Sequence, residues 1–178
     1  MSSGIFFPSS YHAALGKFLD FLKISMSELG NISERRVFNL LSGKRNLPPF
    51  LSTNPGLNSC LMILQYTSAS LVSSNKQLST PSSIDSITSS NGQEDHVSMG
   101  ANGANQLRDI INNLYEIFAI ELITAIQAKE FNNHKTSDLI DEFISTIRKI
   151  YPKISSDRVF HNDINKVSKF LKKNRRVA

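Results

Sequence analysis

The chain has 178 residues, of which 40% are hydrophobic and 20% charged, enough for one globular domain with its own core. Its net charge of +5 comes from the C-terminus, because the last 13 residues hold six of the 20 basic residues and no acid, which leaves 14 basic and 15 acidic residues elsewhere. The nearly neutral body argues against a nucleic-acid-binding surface, and residues 172–178 are interpreted as a solvated basic tail.

No targeting or membrane-spanning segment is expected. The apolar run at residues 5–7 is cut short by Pro8, and no stretch approaches the roughly 18 unbroken apolar residues of a membrane span. The single cysteine, Cys60, has no partner for a disulfide, which favours a reducing, cytoplasmic location. The four histidines show no ligand spacing with Cys60 or with paired acids, so no metal site is expected.

The first predicted helix runs from Leu15 to Leu29, and Gly30 stands where a C-terminal cap is wanted. One face is apolar at three- and four-residue steps, with Leu15, Phe18, Leu19, Leu22, Met26 and Leu29. Ser33 is predicted as the N-cap of a second, short helix that Gly43 ends. The first helix is amphipathic and therefore needs a partner on its apolar face.

Two arginines, Arg35 and Arg36, fall on the predicted short helix. They are expected to form solvated or structural ion pairs, and binding of a carboxylate ligand is the alternative. The next segment, residues 44–55, contains three prolines and is predicted to be a fixed, non-helical connection.

A second long helix is predicted from Asn58 to about Leu78, and its small residues at 68–70 would let a neighbouring helix approach closely. The segment from Ser79 to Asn91 follows, and six of its thirteen residues are serine. By composition alone, this segment is typical of a flexible linker.

The longest apolar helix pattern runs from Asn105 to Phe131, which spans roughly 40 Å at about 1.5 Å per residue. Between residues 117 and 126 only Glu121 and Thr124 are polar. A segment that is apolar nearly all round must be covered on every side. A chain this short is not expected to cover the helix on every side. We therefore predict partner helices from other chains or from another part of the protein.

Two more helices are predicted, one from Ser137 and ending at Pro152, the other from about Asn162. No strand or hairpin pattern competes anywhere, so the fold class is all-α, a bundle of long helices. We expect a single helical domain over residues 1–178.

Gln93, Glu94, Asp95 and His96 place an amide, two carboxylates and an imidazole side by side, just before the long apolar helix. Carboxylates near a helix N-terminus are stabilised by its free N–H groups. The residues alone leave two interpretations open, a polar N-terminal cap or a functional site.

The run is similar to the C-terminal signature of the aromatic amino-acid ammonia-lyases, and of histidine ammonia-lyases in particular. Its matching parts are Ser83-Ile84-Asp85-Ser86 and Gly92-Gln93-Glu94-Asp95-His96-Val97-Ser98-Met99-Gly100. Further matching motifs occur in the same order: Glu28-Leu29-Gly30, Ile32-Ser33-Glu34-Arg35-Arg36, Leu47-Pro48-Pro49-Phe50-Leu51, Asn54-Pro55-Gly56-Leu57-Asn58-Ser59 and Asn75-Lys76-Gln77-Leu78. The resemblance covers about residues 15–170 and corresponds to the later part of such an enzyme.

The resemblance implies the C-terminal helical portion of the ammonia-lyase fold, and histidine as the substrate that loses ammonia to give urocanate. Enzymes of this family use a methylidene-imidazolone electrophile made from an internal Ala-Ser-Gly triplet. This sequence has no Ala-Ser-Gly. We therefore expect no such cofactor in this chain and no elimination by this polypeptide alone.

The resemblance also implies the site residues. Glu94 matches a glutamate beside the substrate, where a carboxylate binds the imidazole or the leaving ammonium or acts in proton transfer. Gln93 would orient the same groups. Met62 matches a pocket-lining methionine, and His96 is more plausibly structural. The segment from Ser79 to Asn91 matches an ordered part of the active-site wall, against the linker interpretation.

Two functional hypotheses follow from the resemblance. The chain is the C-terminal part of a histidine ammonia-lyase-like enzyme, with other lyase subunits or a missing N-terminal half as partners and homo-oligomerisation through the long helices. Alternatively, it is a non-catalytic helical module that binds or caps a lyase subunit. A third hypothesis, an unrelated binding role of the basic tail, has little support. Cys60 departs from the family, which commonly has glycine at that position.

Overall fold

The structure, a computed structural model, describes residues 7–54, 56–94, 96–132 and 135–174. In these ranges the chain forms five α-helices: α1 (Phe7–Leu41), α2 (Met62–Leu78), α3 (Gly100–Lys129), α4 (Asp138–Arg148) and α5 (His161–Lys173). Short 3₁₀ turns lie at Pro49–Leu51, Ser82–Ile84 and Ser90–Gly92. The described residues form no strand ladder, and the all-α prediction is confirmed.

The first two predicted helices are one, which corrects the sequence interpretation of Gly30 and Ser33. Gly30 lies inside α1, where a Cβ atom would be only 3.2 Å from Leu114 and 3.4 Å from Ile117. The glycine therefore lets α3 approach closely and does not cap a helix. Ser33 lies in mid-helix too, and Gly43, with φ +71°, follows the end of α1 as predicted.

Between residues 16 and 34, the face of α1 that packs against the rest of the chain is polar and glycine-rich. Its buried members recur at steps of four and three: Gly16, Asp20, Lys23, Ser27, Gly30 and Glu34. By contrast Leu15, Phe18 and Leu29, on the predicted apolar face, are 53%, 57% and 47% exposed. These three residues are not packed within this chain, because small and hydrogen-bonded side chains occupy the contact with α2 and α3. The partner expected on this apolar face stays a prediction.

The larger of the two buried hydrophobic clusters lies at the C-terminal end of α1. It joins the last turns of α1 to α2, to the second half of α3, to residues 151–160 and to α5, with Val37, Leu41, Leu61, Leu64, Ile120, Ile123, Tyr151, Phe160 and Val167 among its buried members. Of the large aliphatic residues in α3, one is exposed, namely Ile111 at 38%. Much of α3 is thus buried within this chain, and partner helices from other chains or from another part of the protein stay a prediction.

Beyond α1, which begins at Phe7 and not at Leu15, helix boundaries also differ at the starts of α2 and α3. Helix α2 begins at Met62 and not at Asn58, and α3 begins at Gly100, five residues before the predicted Asn105. The connection after Gly43 contains only the 3₁₀ turn in its described part, residues 44–54, as predicted, while Pro55 lies outside the described residues.

The last two helices begin within a residue of their predicted starts. Residues 175–178 of the predicted tail also lie outside the described residues. Lys172, inside α5, donates a hydrogen bond to Asn112 Oδ1 at 3.0 Å. No described helix combines the length and apolar character needed to cross a membrane.

Candidate active-site loop

The two predicted catalytic residues lie in the connection between α2 and α3, residues 79–99, called here the α2–α3 loop. A tight turn forms where Ser89 and Glu94 exchange backbone hydrogen bonds, with N···O distances of 2.9 Å and 3.2 Å. Asn91 and Gly92 adopt positive φ angles of +55° and +84° inside this turn. The chain thus reverses direction immediately before Gln93 and Glu94.

The side chains of Gln93 and Glu94 are exposed, and within the described residues neither makes a hydrogen bond or ion pair. His96 is exposed as well, and Asp95 lies outside the described residues. The backbone N–H of Gly100, the first residue of α3, donates to Ser98 Oγ at 3.4 Å. Gln93 and Glu94 therefore do not cap α3, which leaves them available for a ligand or a partner.

Met62 is the first residue of α2 and is half-buried. The turn before it is held by Asp157, whose carboxylate accepts the backbone N–H groups of Ser59 at 3.1 Å and Cys60 at 2.6 Å. None of the described hydrogen bonds joins α2 to the turn at residues 89–94. The structure thus places Gln93 and Glu94 in one turn, whereas Met62 lies on a different element.

Cys60 shows why its position suits glycine. Its φ angle is +39°, in the left-handed region that is strained for residues with a Cβ atom, and the residue is only 3% exposed. The backbone at this position therefore adopts a conformation that favours glycine, although the residue is a cysteine.

A buried polar network, which the sequence motifs do not reveal, anchors the start of the α2–α3 loop. Lys23 Nζ donates to Thr80 O at 2.8 Å, Ser82 Oγ at 3.1 Å and Gln106 Oε1 at 2.5 Å, and it lies 2.8 Å from Asp20 Oδ1. Lys23 is fully buried and Asp20 is 4% exposed. The sequence feature that could have indicated this network is the pair Asp20 and Lys23, three residues apart and on the same helix face as Gly16 and Ser27.

Asp20 also accepts the backbone N–H groups of Ser82 at 2.9 Å and Ser83 at 3.0 Å. Burial alone raises the pKa of this carboxyl, but the hydrogen bonds from Lys23, Ser83 and Ser82 outweigh it and lower the pKa to about 2. Asp20 is therefore ionised at neutral pH and forms a true ion pair with Lys23.

Two cavities lie beside these elements. A polar one of about 460 Å³ sits at the foot of the loop and is lined by Thr80, Pro81, Ser82, Ile84, Asp85, Asn102 and Gln106. An apolar groove of about 900 Å³ runs between α1, α3, α4 and α5 and is lined by residues that include Met26, Leu29, Tyr115, Phe118, Leu122, Phe143 and Leu171. Neither cavity is lined by Gln93, Glu94 or Met62.

The two arginines of α1 form structural ion pairs, as predicted. Arg35 pairs with Glu34 at 2.6 Å, and Arg36 pairs with Glu121 at 3.2 Å on the rim of the apolar groove. Glu34 is buried, which raises its pKa, yet hydrogen bonds from Arg35 and Gln65 lower the pKa below its ordinary value. Among the described residues, no group of three His, Cys, Asp or Glu side chains could hold a metal ion.

Comparison with known proteins places these features in a family context. Residues 6–149 match the family described as aromatic amino acid lyase. The chain is 48% identical over 157 residues to histidine ammonia-lyase of Bacillus subtilis (strain 168), which covers 87% of this chain and 31% of that protein. The chain therefore spans less than a third of the length of this relative.

Solved structures agree with this match. The chain aligns with histidine ammonia-lyase from Trypanosoma cruzi at a TM-score of 0.85 and 42% identity, covering 90% of this chain and 32% of the other. It aligns with tyrosine aminomutase from Streptomyces globisporus at a TM-score of 0.86 and 29% identity, covering 91% of this chain and 32% of the other. The five-helix arrangement thus corresponds to about a third of each of these longer proteins.

Proposed function

The chain belongs to the aromatic amino acid lyase family, and on that basis we propose that it is the C-terminal part of a histidine ammonia-lyase-like enzyme. The reaction is the elimination of ammonia from histidine to give urocanate. The observation that carries the proposal is the match to histidine ammonia-lyase along 87% of this chain. The reducing, cytoplasmic location expected from the lone cysteine is part of the same proposal.

Glu94 is the residue proposed to act on the substrate. Its exposed carboxylate, on a turn fixed by two backbone hydrogen bonds, is suited to bind the imidazole or the leaving ammonium, or to transfer a proton. Gln93, beside it, offers a donor and an acceptor that orient the same groups. Met62 is proposed to line the substrate pocket once the remaining pocket walls are present.

The electrophile of the family does not fit this chain, because the sequence has no Ala-Ser-Gly triplet from which to form it. The residues of this chain are therefore not proposed to carry out the elimination alone. We propose that another polypeptide segment contributes the electrophile and that this chain contributes one wall of the pocket.

The partner is proposed to be another lyase subunit or the remaining part of the enzyme. The outer face of α1 exposes a row of large apolar side chains, namely Leu15, Phe18, Phe21, Ile24, Leu29 and Ile32, at between 46% and 71%. Several large apolar side chains exposed on one helix are the kind of feature expected at an interaction site. The proposed contact is homo-oligomeric packing of long helices, and the proposal includes neither nucleic acid nor membrane.

Complementation tests the proposal. The chain is co-expressed with a separate N-terminal portion of a histidine ammonia-lyase that carries Ala-Ser-Gly, and urocanate is followed by its ultraviolet absorbance. We expect turnover from the pair and none from either piece alone. If the two pieces co-purify without turnover, the proposed catalytic role is wrong.

A non-catalytic role is the second candidate, and the exposed apolar face of α1 favours it equally. In this case the chain binds or caps an intact lyase subunit through that face. Adding the purified chain to an intact histidine ammonia-lyase distinguishes the candidates, because a capping module lowers the activity of the intact enzyme whereas a complementing piece does not.

A further inference from the structure

The α2–α3 loop is held on α1 at both of its ends. At its start, Thr80, Ser82 and Ser83 are bound by Asp20 and Lys23. Near its end, the carbonyl oxygen of Ser98 lies against Gly16, where a Cβ atom would be only 2.7 Å from it.

Both anchors lie on the same stripe of the helix. Gly16, Asp20 and Lys23 follow one another at steps of four and three residues, which places them on one face of α1. The loop thus rests along about two turns of a single rigid helix.

Apolar burial contributes little to the position of the loop between these anchors. Its two isoleucines, Ile84 and Ile87, are 74% and 59% exposed. Inside the loop, the backbone N–H of Val97 donates to Ser86 Oγ at 3.0 Å, and this bond ties the two halves together. The position of the loop therefore depends on polar contacts, which are directional. The charged groups among these contacts are Asp20 and Lys23.

The ion pair is better suited to fixing position than to adding stability. A buried ion pair contributes little net stability compared with apolar side chains of similar volume, because both charges lose their hydration. Lys23 nevertheless has oxygen acceptors on α1, on the loop and on α3 within 3.1 Å. Gln106 also accepts from Ser82 Oγ at 2.6 Å, so one small network sets the spacing of these three elements.

We propose that Asp20 and Lys23 are positioning residues, a buried ion pair that fixes the start of the α2–α3 loop on α1 and thereby places the turn that carries Glu94. The fixing of the loop stands on the geometry of this chain, whereas the importance of placing Glu94 rests on the proposed function. Neither Asp20 nor Lys23 contacts the substrate in this proposal.

Amide hydrogen exchange of the full chain, read by mass spectrometry, tests the fixing of the loop directly. The backbone N–H groups of Ser82 and Ser83 donate to Asp20, so their exchange reports the anchor itself. In Lys23→Met we expect exchange in residues 80–99 to become about tenfold faster, while exchange in α2 and the second half of α3 stays unchanged. The double variant Asp20→Asn/Lys23→Met removes both charges and should behave in the same way.

Two further variants keep the test decisive. If Lys23→Met does not fold, the double variant Asp20→Asn/Lys23→Met decides the question, because it leaves no buried charge unpaired. Ser82→Ala removes two hydrogen bonds of the network but keeps the ion pair, so it should speed exchange less. Arg158→Met is the matched control, because it breaks the ion pair with Asp163 far along the chain and should leave residues 80–99 unaffected.

Unchanged exchange in residues 80–99 of folded Lys23→Met would overturn the proposal, and so would equal acceleration along the whole chain, which means general stabilisation only. In the complemented enzyme, Ser82→Ala should lower kcat more than it changes KM. If complementation yields no turnover while the exchange result is as expected, the proposed function fails and the anchoring of the loop stands.

Discussion

The Nζ atom of Lys23 lies 2.8 Å from Oδ1 of Asp20, and both side chains are buried between α1 and the start of the α2–α3 loop. The contribution of Asp20 to the free energy of unfolding depends on pH, because its pKa is about 2 in the folded chain against an ordinary value of 3.8. A carboxyl with a depressed pKa stabilises the fold above its unfolded pKa and loses that contribution as the pH falls through its folded pKa.

The first prediction concerns this pH window. Between about pH 6 and about pH 2, the wild-type chain should lose about 2 kcal/mol of unfolding free energy that Asp20→Asn does not lose. Urea unfolding at several pH values measures the difference between the two curves. Asp109→Asn, at an exposed carboxylate, is the control and should follow the wild type. Parallel curves for Asp20→Asn and the wild type would contradict the assignment.

The second prediction concerns the close contact between Gly16 and Ser98. Because an alanine Cβ would lie 2.7 Å from a backbone oxygen, Gly16→Ala forces α1 and the loop apart and should cost about 1–3 kcal/mol of unfolding free energy. Gly100→Ala provides the comparison, since a Cβ there meets only Ser98 Oγ at 3.5 Å and should be nearly neutral. Equal stability of the two variants would show that the contact with Ser98 is not restrictive.

The positions of Gly16, Gly30 and Lys23 show where prediction from the sequence ends. Apolar periodicity identifies helical segments in every α-helix, because a repeat at three and four residues is a local property of the chain, although it divides α1 into two. It does not identify the buried face of α1, where glycine and hydrogen-bonded polar residues make the contact with α3. The sequence alone predicts a helix end at Gly30 because its local pattern fits one. Its actual role, the close approach of α3, depends on a tertiary contact that the neighbouring residues do not reveal.

The candidate site is predictable in part. The motif around Glu94 can be found from resemblance, and the structure places Gln93 and Glu94 in one exposed turn; their functional role stays a prediction. The ion pair beneath the loop cannot be found in this way, because its partners Thr80, Ser82 and Gln106 are between 57 and 83 residues away from Lys23 in the chain. Such a network depends on tertiary contacts that no short motif encodes.

The third prediction concerns the turn before Met62. Asp157 accepts two backbone N–H groups there, so Asp157→Ala leaves both without their partner and should lower the unfolding free energy by about 1–2 kcal/mol. Thermal unfolding followed by circular dichroism measures the effect. Asp157→Asn, which retains one acceptor oxygen, should lose less. A loss as large as that of Asp157→Ala would mean that the charge, and not hydrogen bonding, matters.

The fourth prediction concerns the outer face of α1. If this face is the contact between copies of the chain, light scattering behind a sizing column should show an oligomer. Phe21→Glu, at a position that is 71% exposed, should reduce the mass towards that of a monomer. Val159→Glu introduces the same charge at a residue that is 77% exposed but lies outside the helix, and it should leave the mass unchanged. A monomeric wild-type chain would contradict the proposed self-association.

The last prediction concerns Glu94 in the complemented enzyme. A group that transfers a proton contributes roughly a hundredfold or more to the rate, so Glu94→Gln, which keeps the size and removes the charge, should lower kcat by about that factor. If the carboxylate only binds the imidazole or ammonium, KM rises and kcat changes less. Glu142→Gln, at an exposed carboxylate of α4, controls for loss of charge alone. Wild-type kinetics in Glu94→Gln would exclude both roles.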